Sequence, residues 1–228
     1  MPALEIEGLE VRFPGLDAAA LSIARLHLPK GASLAVTGGS GSGKSTLVNV
    51  LAGLAPITRG RLSWGGTDLA RLSALQRDRF RARSIGLVLQ EFHLFPGLSA
   101  FDNVVLPIRL SRRLSGEEAE RARALLDSAR IARPRQAVET MSRGEMQRVA
   151  VARALLGRPG IVLADEPTAS LDRSAGRDVA QMLLGLAGEC GATLIVVTHD
   201  AALAERLGRQ IRLDAGRVLA DPVQDRAA

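Results

Sequence analysis

The 228-residue chain has no tyrosine, one tryptophan and one cysteine, and aromatic side chains make up only 3% of it. A single thiol, Cys190, excludes an internal disulfide framework and fits a reducing compartment. No run approaches the ~18 uninterrupted apolar residues of a membrane-spanning helix, so any membrane role is expected to run through a partner. Residues 1–10 carry Glu5, Glu7 and Glu10 and no apolar stretch, which argues against a secretory signal. Lysine is scarce: of the 30 basic residues only Lys30 and Lys44 are lysine, the rest being arginine. The net charge of +6 is scattered rather than blocked, so direct nucleic-acid binding is not expected. The densest basic stretch, Arg71 through Arg77, Arg79, Arg81 and Arg83, reads as a solvated helix face. What remains is an ordinary globular mix, 46% hydrophobic and 24% charged, which excludes a disordered or collagen-like chain.

Short apolar runs alternate with segments at helical spacing. Residues 4–13 and 21–28 read as strands of mixed pattern, and 33–37, 61–64, 85–89, 161–164, 194–197 and 210–213 as short strands. Helical spacing covers 45–54, 73–83, 173–187 and 201–207. From 91 to about 157 the pattern is helical and strand-poor. Capping boxes stand at Ser73/Gln76, Ser115/Glu118 and Ser142/Glu145, with a looser acidic form at Ser99/Asp102. Apolar strands alternating with helices imply a parallel α/β sheet covered on both faces. The expected organisation is one domain: 1–90 and 158–228 form the core, 91–157 a helical insertion, and the last eight residues a solvated tail.

Gly38, Gly39, Ser40, Gly41, Ser42, Gly43, Lys44 and Ser45 fit G-x-x-x-x-G-K-[ST] between a strand and a helix, with Thr46 continuing into that helix. Glycines let backbone N–H groups close around phosphate oxygens, and the helix N-terminus favours their charge. Lys44 would reach the β- and γ-phosphates and Ser45 would bind Mg²⁺. A lysine here, in a chain that otherwise uses arginine, suits a compact ammonium among phosphates. The strand at 161–164 ends in Asp165 and Glu166, the first suited to the Mg²⁺ shell and the second to orienting and deprotonating water. His199 and Gln90 follow two other apolar strands and would face the same crevice, His199 toward the γ-phosphate.

Residues 141–148, Met141-Ser142-Arg143-Gly144-Glu145-Met146-Gln147-Arg148, resemble the signature motif of ATP-binding cassette (ABC) ATPases. The order of phosphate loop, Gln90, signature, Asp165-Glu166, Ser170-Leu171-Asp172 and His199 is similar too, over nearly the whole chain. The resemblance implies a P-loop NTPase core of RecA type with a mainly antiparallel β subdomain and an inserted helical subdomain. It also implies ATP and Mg²⁺ as ligands. Two ATPs would be sandwiched in a head-to-tail homodimer, each between the phosphate loop of one chain and Ser142 and Gly144 of the other. On this likeness Gln90 contacts Mg²⁺ and water, together with Ser45 and Asp165 at the metal. His199 is the γ-phosphate switch, Asp172 crosses the interface, and Phe13 lies against adenine.

Three residues depart from the usual motif. Arg143 replaces a glycine, and its guanidinium would approach the partner's γ-phosphate or swing to a carboxylate on a permease. Met141 replaces leucine at conserved volume, and Glu145 replaces glutamine. Residues 85–90 and 95–107 resemble the subgroup serving lipoprotein-releasing, macrolide-exporting and cell-division permeases. The expected role is the ATPase subunit of a membrane complex, held at the inner face of the cell membrane by a separate permease. A groove around Gln90 and residues 92–101, with Phe92, Leu94, Phe95, Leu98 and Phe101, is expected to dock a permease helix. The alternatives are a mechanical regulator of a cell-envelope machine and a soluble ATPase of translation or DNA repair. A single cassette without sustained heptads disfavours the last.

Overall fold

The computed structural model describes residues 2–16 and 18–221. The chain opens with strands β1 (Leu4–Val11), β2 (Leu21–Leu28) and β3 (Ser33–Thr37), and β3 feeds helix α1 (Lys44–Leu51). Strands β4 (Arg59–Trp64) and β5 (Thr67–Asp68), helix α2 (Ala74–Ser84) and strand β6 (Ile85–Val88) follow. Helices α3 (Ala100–Ser111), α4 (Gly116–Ser128) and α5 (Arg143–Leu155) come next. The remainder alternates β7 (Ile161–Asp165), α6 (Arg173–Glu189), β8 (Thr193–Val197), α7 (Ala201–Ala204), β9 (Arg209–Asp214) and β10 (Arg217–Ala220).

Six strands form one sheet in the order β10-β9-β3-β8-β7-β6, parallel except for β10. β7 and β8 are buried at every residue, because apolar layers cover both faces of the sheet. Alternation along β7 divides the molecule into two cores. Val162 and Ala164 point into a core shared with α3 to α6, whereas Ile161 and Leu163 point into one shared with α1 and the second sheet. That second sheet is antiparallel, in the order β2-β1-β4-β5.

The mixed pattern of β1 and β2 has a local cause. β1 changes register against β4 between Glu7 and Glu10, so its buried set passes from Leu4 and Ile6 to Leu9 and Val11. Gly60 makes the bulge possible, since a Cβ there would lie 2.1 Å from the Gly8 carbonyl oxygen. β2 shifts its buried set at the facing point, from Leu21 and Ile23 to Leu26 and Leu28.

All four expected cap positions carry side-chain caps, three as full capping boxes; Ser99 accepts from the Asp102 N–H and donates to its carboxylate. The helix expected over 45–54 stops at Leu51, and a left-handed Gly53 turns the chain. The helix expected over 201–207 stops at Ala204, after which Arg206 and Leu207 close tighter three-residue turns onto Leu203 and Ala204. The expected solvated tail is corrected at its first residue: Asp221 is buried and paired with Arg209. Residues 222–228 lie outside the described residues.

Candidate nucleotide site

The register of the parallel sheet assembles the site. Val36 pairs with Val197, Asp165 with Val197, and Val88 with Ala164. The carboxyl ends of β3, β8, β7 and β6 therefore release the phosphate loop, His199, Glu166 and Gln90 along one edge, as open α/β sheets do at their ligand crevices.

At the phosphate loop, α1 begins at Lys44 behind Gly43, which has φ 99° and supplies no side-chain cap. Among the described residues the five helices of ten residues or more, and short α7, are capped by Ser73, Ser99, Ser115, Ser142, Asp172 or Asp200. α1 thus keeps its first-turn N–H groups free of a side-chain acceptor, the arrangement an anion completes. The Lys44 ammonium donates to the carbonyls of Gly38 (3.0 Å) and Gly39 (2.8 Å) in its own loop. Gly38 admits no side chain, because a Cβ would meet the Leu213 carbonyl oxygen at 2.2 Å. Gly39, Ser40 and Gly41 form the outer rim, the buried Ser42 hydroxyl has no hydrogen-bond partner among the described residues, and Thr46 lies in the first turn of α1.

Asp165 is buried at the end of β7, and its Oδ1 has no hydrogen-bond partner among the described residues. Burial raises its carboxyl above the ordinary range; a hydrogen bond with Ser45 and the Lys44 charge oppose the rise, and the Glu166 charge adds to it. An orphaned carboxylate oxygen beside a serine hydroxyl is a donor set that fits a hard divalent cation. Glu166 stands in the left-handed region at φ 48°, a conformation costing roughly 1–3 kcal/mol unless its surroundings hold it. They do: Glu166 N–H bonds the Val197 carbonyl at 2.9 Å. Its Oε2 accepts the His199 N–H at 3.2 Å and meets His199 Nδ1 at 2.7 Å. Gln90 is exposed just beyond β6.

The signature residues make their contacts elsewhere. Ser142 caps α5, its hydroxyl accepting from Glu145 N–H and donating to the Glu145 carboxylate. Bonds from Ser142, first from its backbone N–H, hold that carboxyl below its ordinary value. Gly144 backs onto α6, where a Cβ would stand 3.1 Å from Ala175 Cβ. Asp172 caps α6 through the N–H groups of Ser174 (2.8 Å) and Ala175 (3.0 Å), which lower its pKa. Phe13 is exposed in the loop after β1; at the loop's far end the Ala20 carbonyl lies against Gly43.

Two of the expected surface features make contacts within this single chain. Arg143 is exposed and donates from Nε to the Ser170 carbonyl at 3.2 Å, with its guanidinium 5.2 Å from the Phe92 ring centroid. The aromatic set at 92–101 is not one open groove: Phe92 lies against Arg143, and Leu94 and Phe101 pack on the core with Arg123 over the Phe101 ring. Phe95 alone among those phenylalanines is widely exposed, at 54%.

Two residues have a part that the motifs did not assign. Gln147, 1% exposed, donates to the Pro167 carbonyl at 2.9 Å, and Arg153 donates to the carbonyls of Phe92 (2.8 Å) and His93 (2.5 Å). A glutamine at helical spacing between Gly144 and Val151, on a face otherwise apolar, was the available signal for the first.

A profile of the ABC transporter family matches residues 21–169. A lipoprotein-releasing system ATP-binding protein of Nitratidesulfovibrio vulgaris is 42% identical over 216 residues, 94% of this chain and 93% of that protein. An uncharacterized ABC transporter ATP-binding protein of Escherichia coli K12 is 43% identical over 194 residues, 85% of each chain. Among solved structures, a dimeric ATP-binding cassette in a post-hydrolysis state with ADP and Pi is similar at a TM-score of 0.87 and 34% identity. That match covers 96% of this chain and 97% of the other.

Proposed function

The chain belongs to the ABC transporter family, and from that premise we propose that it powers a separate membrane permease through ATP-driven closure of a homodimer. It is an ATP-binding ATPase. The observation that carries the catalytic reading is the convergence of the Lys44 loop, Asp165, Glu166 and His199 at one edge of the sheet. Lys44 exchanges its loop carbonyls for the β- and γ-phosphates, and the uncapped start of α1 receives phosphate oxygens. Glu166, oriented by His199, accepts the proton of the attacking water. His199 is exposed enough to turn toward a γ-phosphate. Ser45, Asp165 and Gln90 would hold Mg²⁺, which when bound neutralises phosphate charge.

In the closed dimer, Ser142 and Gly144 of one chain complete the nucleotide site of the other, with Asp172 crossing between them and Phe13 against adenine. Among the described residues no helix is long and apolar enough to cross a membrane, in keeping with peripheral attachment at the inner face through the permease. The relatives named for lipoprotein release favour extraction of a lipoprotein or lipid as the work done. Isolation of the chain from native membranes with identification of the chains that accompany it tests this. A permease with few membrane helices and a large extracytoplasmic domain is expected. Recovery of the ATPase free of any membrane chain, with turnover unaffected by membranes, would overturn it.

A further inference from the structure

Helix α5 grips two loops at once. One turn into the helix, Gln147 bonds the loop after Glu166 at the Pro167 carbonyl, and near its end Arg153 bonds the loop after Gln90 at the carbonyls of Phe92 and His93. Gln147 is buried and Arg153 half-buried, and together they bridge α5 to both loops. Arg143, at the signature end, is exposed and touches both loops with one side chain. Its Nε–H points at the Ser170 carbonyl, and its guanidinium carbon lies over the Phe92 ring, 5.2 Å from the centroid. Ser170 lies between Glu166 and Asp172, and Phe92 lies two residues beyond Gln90.

We propose that Arg143 is a positioning residue of the ATPase, tying the loops after Gln90 and Glu166, which face this chain's own nucleotide, to the signature end of α5, which faces the partner's, so that the two sets of nucleotide contacts move as one body. The guanidinium suits this task because it offers a flat face to an aromatic ring while an edge N–H bonds a carbonyl. A lysine ammonium can satisfy one of these contacts well, not both. Glycine is the usual residue at this place in the signature, so the strap belongs to this chain, and its loss slows turnover without abolishing it. The inference rests on the nucleotide-site roles proposed above for Gln90 and Glu166.

The test is ATP turnover against ATP concentration for the full chain carrying Arg143→Gly, Arg143→Lys, Phe92→Leu, or Arg143→Gly with Phe92→Leu. Each glycine or leucine variant is expected to lose roughly three- to tenfold in kcat with KM changed less than about twofold. The double variant should lose no more than the worse single one, since both remove the same contact. Arg143→Lys should recover part of the loss. Additive losses, losses carried by KM, or wild-type turnover in Arg143→Gly would overturn the proposal. Thermal melting of each variant separates a folding defect, and Arg143→Gln, which keeps a good helix former at the position, repeats the test if glycine lowers the melting point. Glu166→Gln serves as the control: retained turnover there would sink the nucleotide-site reading, whereas the coupling between Arg143 and Phe92 is read independently of it.

Discussion

Glu166 carries both an unfavourable backbone conformation and the bonds that hold it, from its N–H to Val197 and from His199 to its carboxylate. A carboxylate fixed in this way does not reorganise when water arrives, which is what a general base needs. Glu166→Gln is expected to cut turnover by about 10²–10⁴ with ATP affinity preserved, because glutamine can still accept the His199 N–H. Single-turnover hydrolysis and equilibrium nucleotide binding measure the two separately, and near wild-type hydrolysis would reject the role. The acid was legible as the second of two at the end of an apolar strand. Its partnership with His199 was not, because 33 residues separate them and only the pairing of β7 with β8 brings them together. The contacts of Arg143 were not legible for a related reason: they run to Ser170 and Phe92, far along the chain. A motif aligns residues to a nucleotide, but an arginine is long enough to reach its own neighbours first.

At the scale of elements, caps and turns decide where helices start, and they are local enough to read. The box at α4 carries a pH consequence. Glu118 sits at about 2, against an ordinary value near 4.5, chiefly through its bond with Arg112 and also through the Ser115 N–H. Because the folded value is depressed, this contribution is complete above the ordinary value and is lost as pH falls from there through about 2. An NMR titration of the Glu118 side chain should show a midpoint near 2, and a midpoint at the ordinary value would reject the bonds with Arg112 and with the Ser115 N–H as its cause. Trp64 illustrates what is not local. Its ring is buried at the end of β4, and its indole N–H donates to the Leu51 carbonyl at the end of α1, 3.0 Å away. Trp64→Phe should cost about 1–3 kcal/mol by leaving that carbonyl unpaired, and Trp64→Ala about 3–5 kcal/mol through the cavity. Denaturant unfolding checks both, and a Trp64→Phe variant as stable as the parent would count against the hydrogen bond. Strand β10 was missed for want of a periodic signal over four residues. Its turn depends on Ala215 and Gly216 at positive φ, and on Gly216 because a Cβ there would meet the Ala20 carbonyl oxygen at 2.6 Å.

At the scale of the whole molecule, the proposed work needs two surfaces, one for a permease and one for a second chain. Exposed Phe95 is the candidate for the first. Phe95→Ala should weaken capture of the permease while leaving ATP affinity unchanged, and undiminished co-purification would remove it from that surface. The second surface turns on the signature end of α5, which packs against the first turn of α6 so closely that Gly144 is buried. One of the similar solved cassettes is dimeric, with ADP and Pi bound. An added side chain at Gly144 must either push α5 away from Ala175 or project past Ser142 toward the opposing nucleotide. On the proposed dimer both displace the helix end from a phosphate, whereas removing the Arg143 side chain frees two loops from α5 but adds no bulk between the helix end and that phosphate. On a Glu166→Gln background, which retains ATP, Gly144→Arg is therefore expected to stay monomeric in sedimentation with ATP, and Arg143→Gly to form the dimer. Circular dichroism establishes that Gly144→Arg is folded, and a milder Gly144→Ala, which adds only the Cβ that crowds Ala175, should dimerise with reduced affinity. If Gly144→Arg dimerises as the parent does, the nucleotide of the opposing chain is not read by this end of α5.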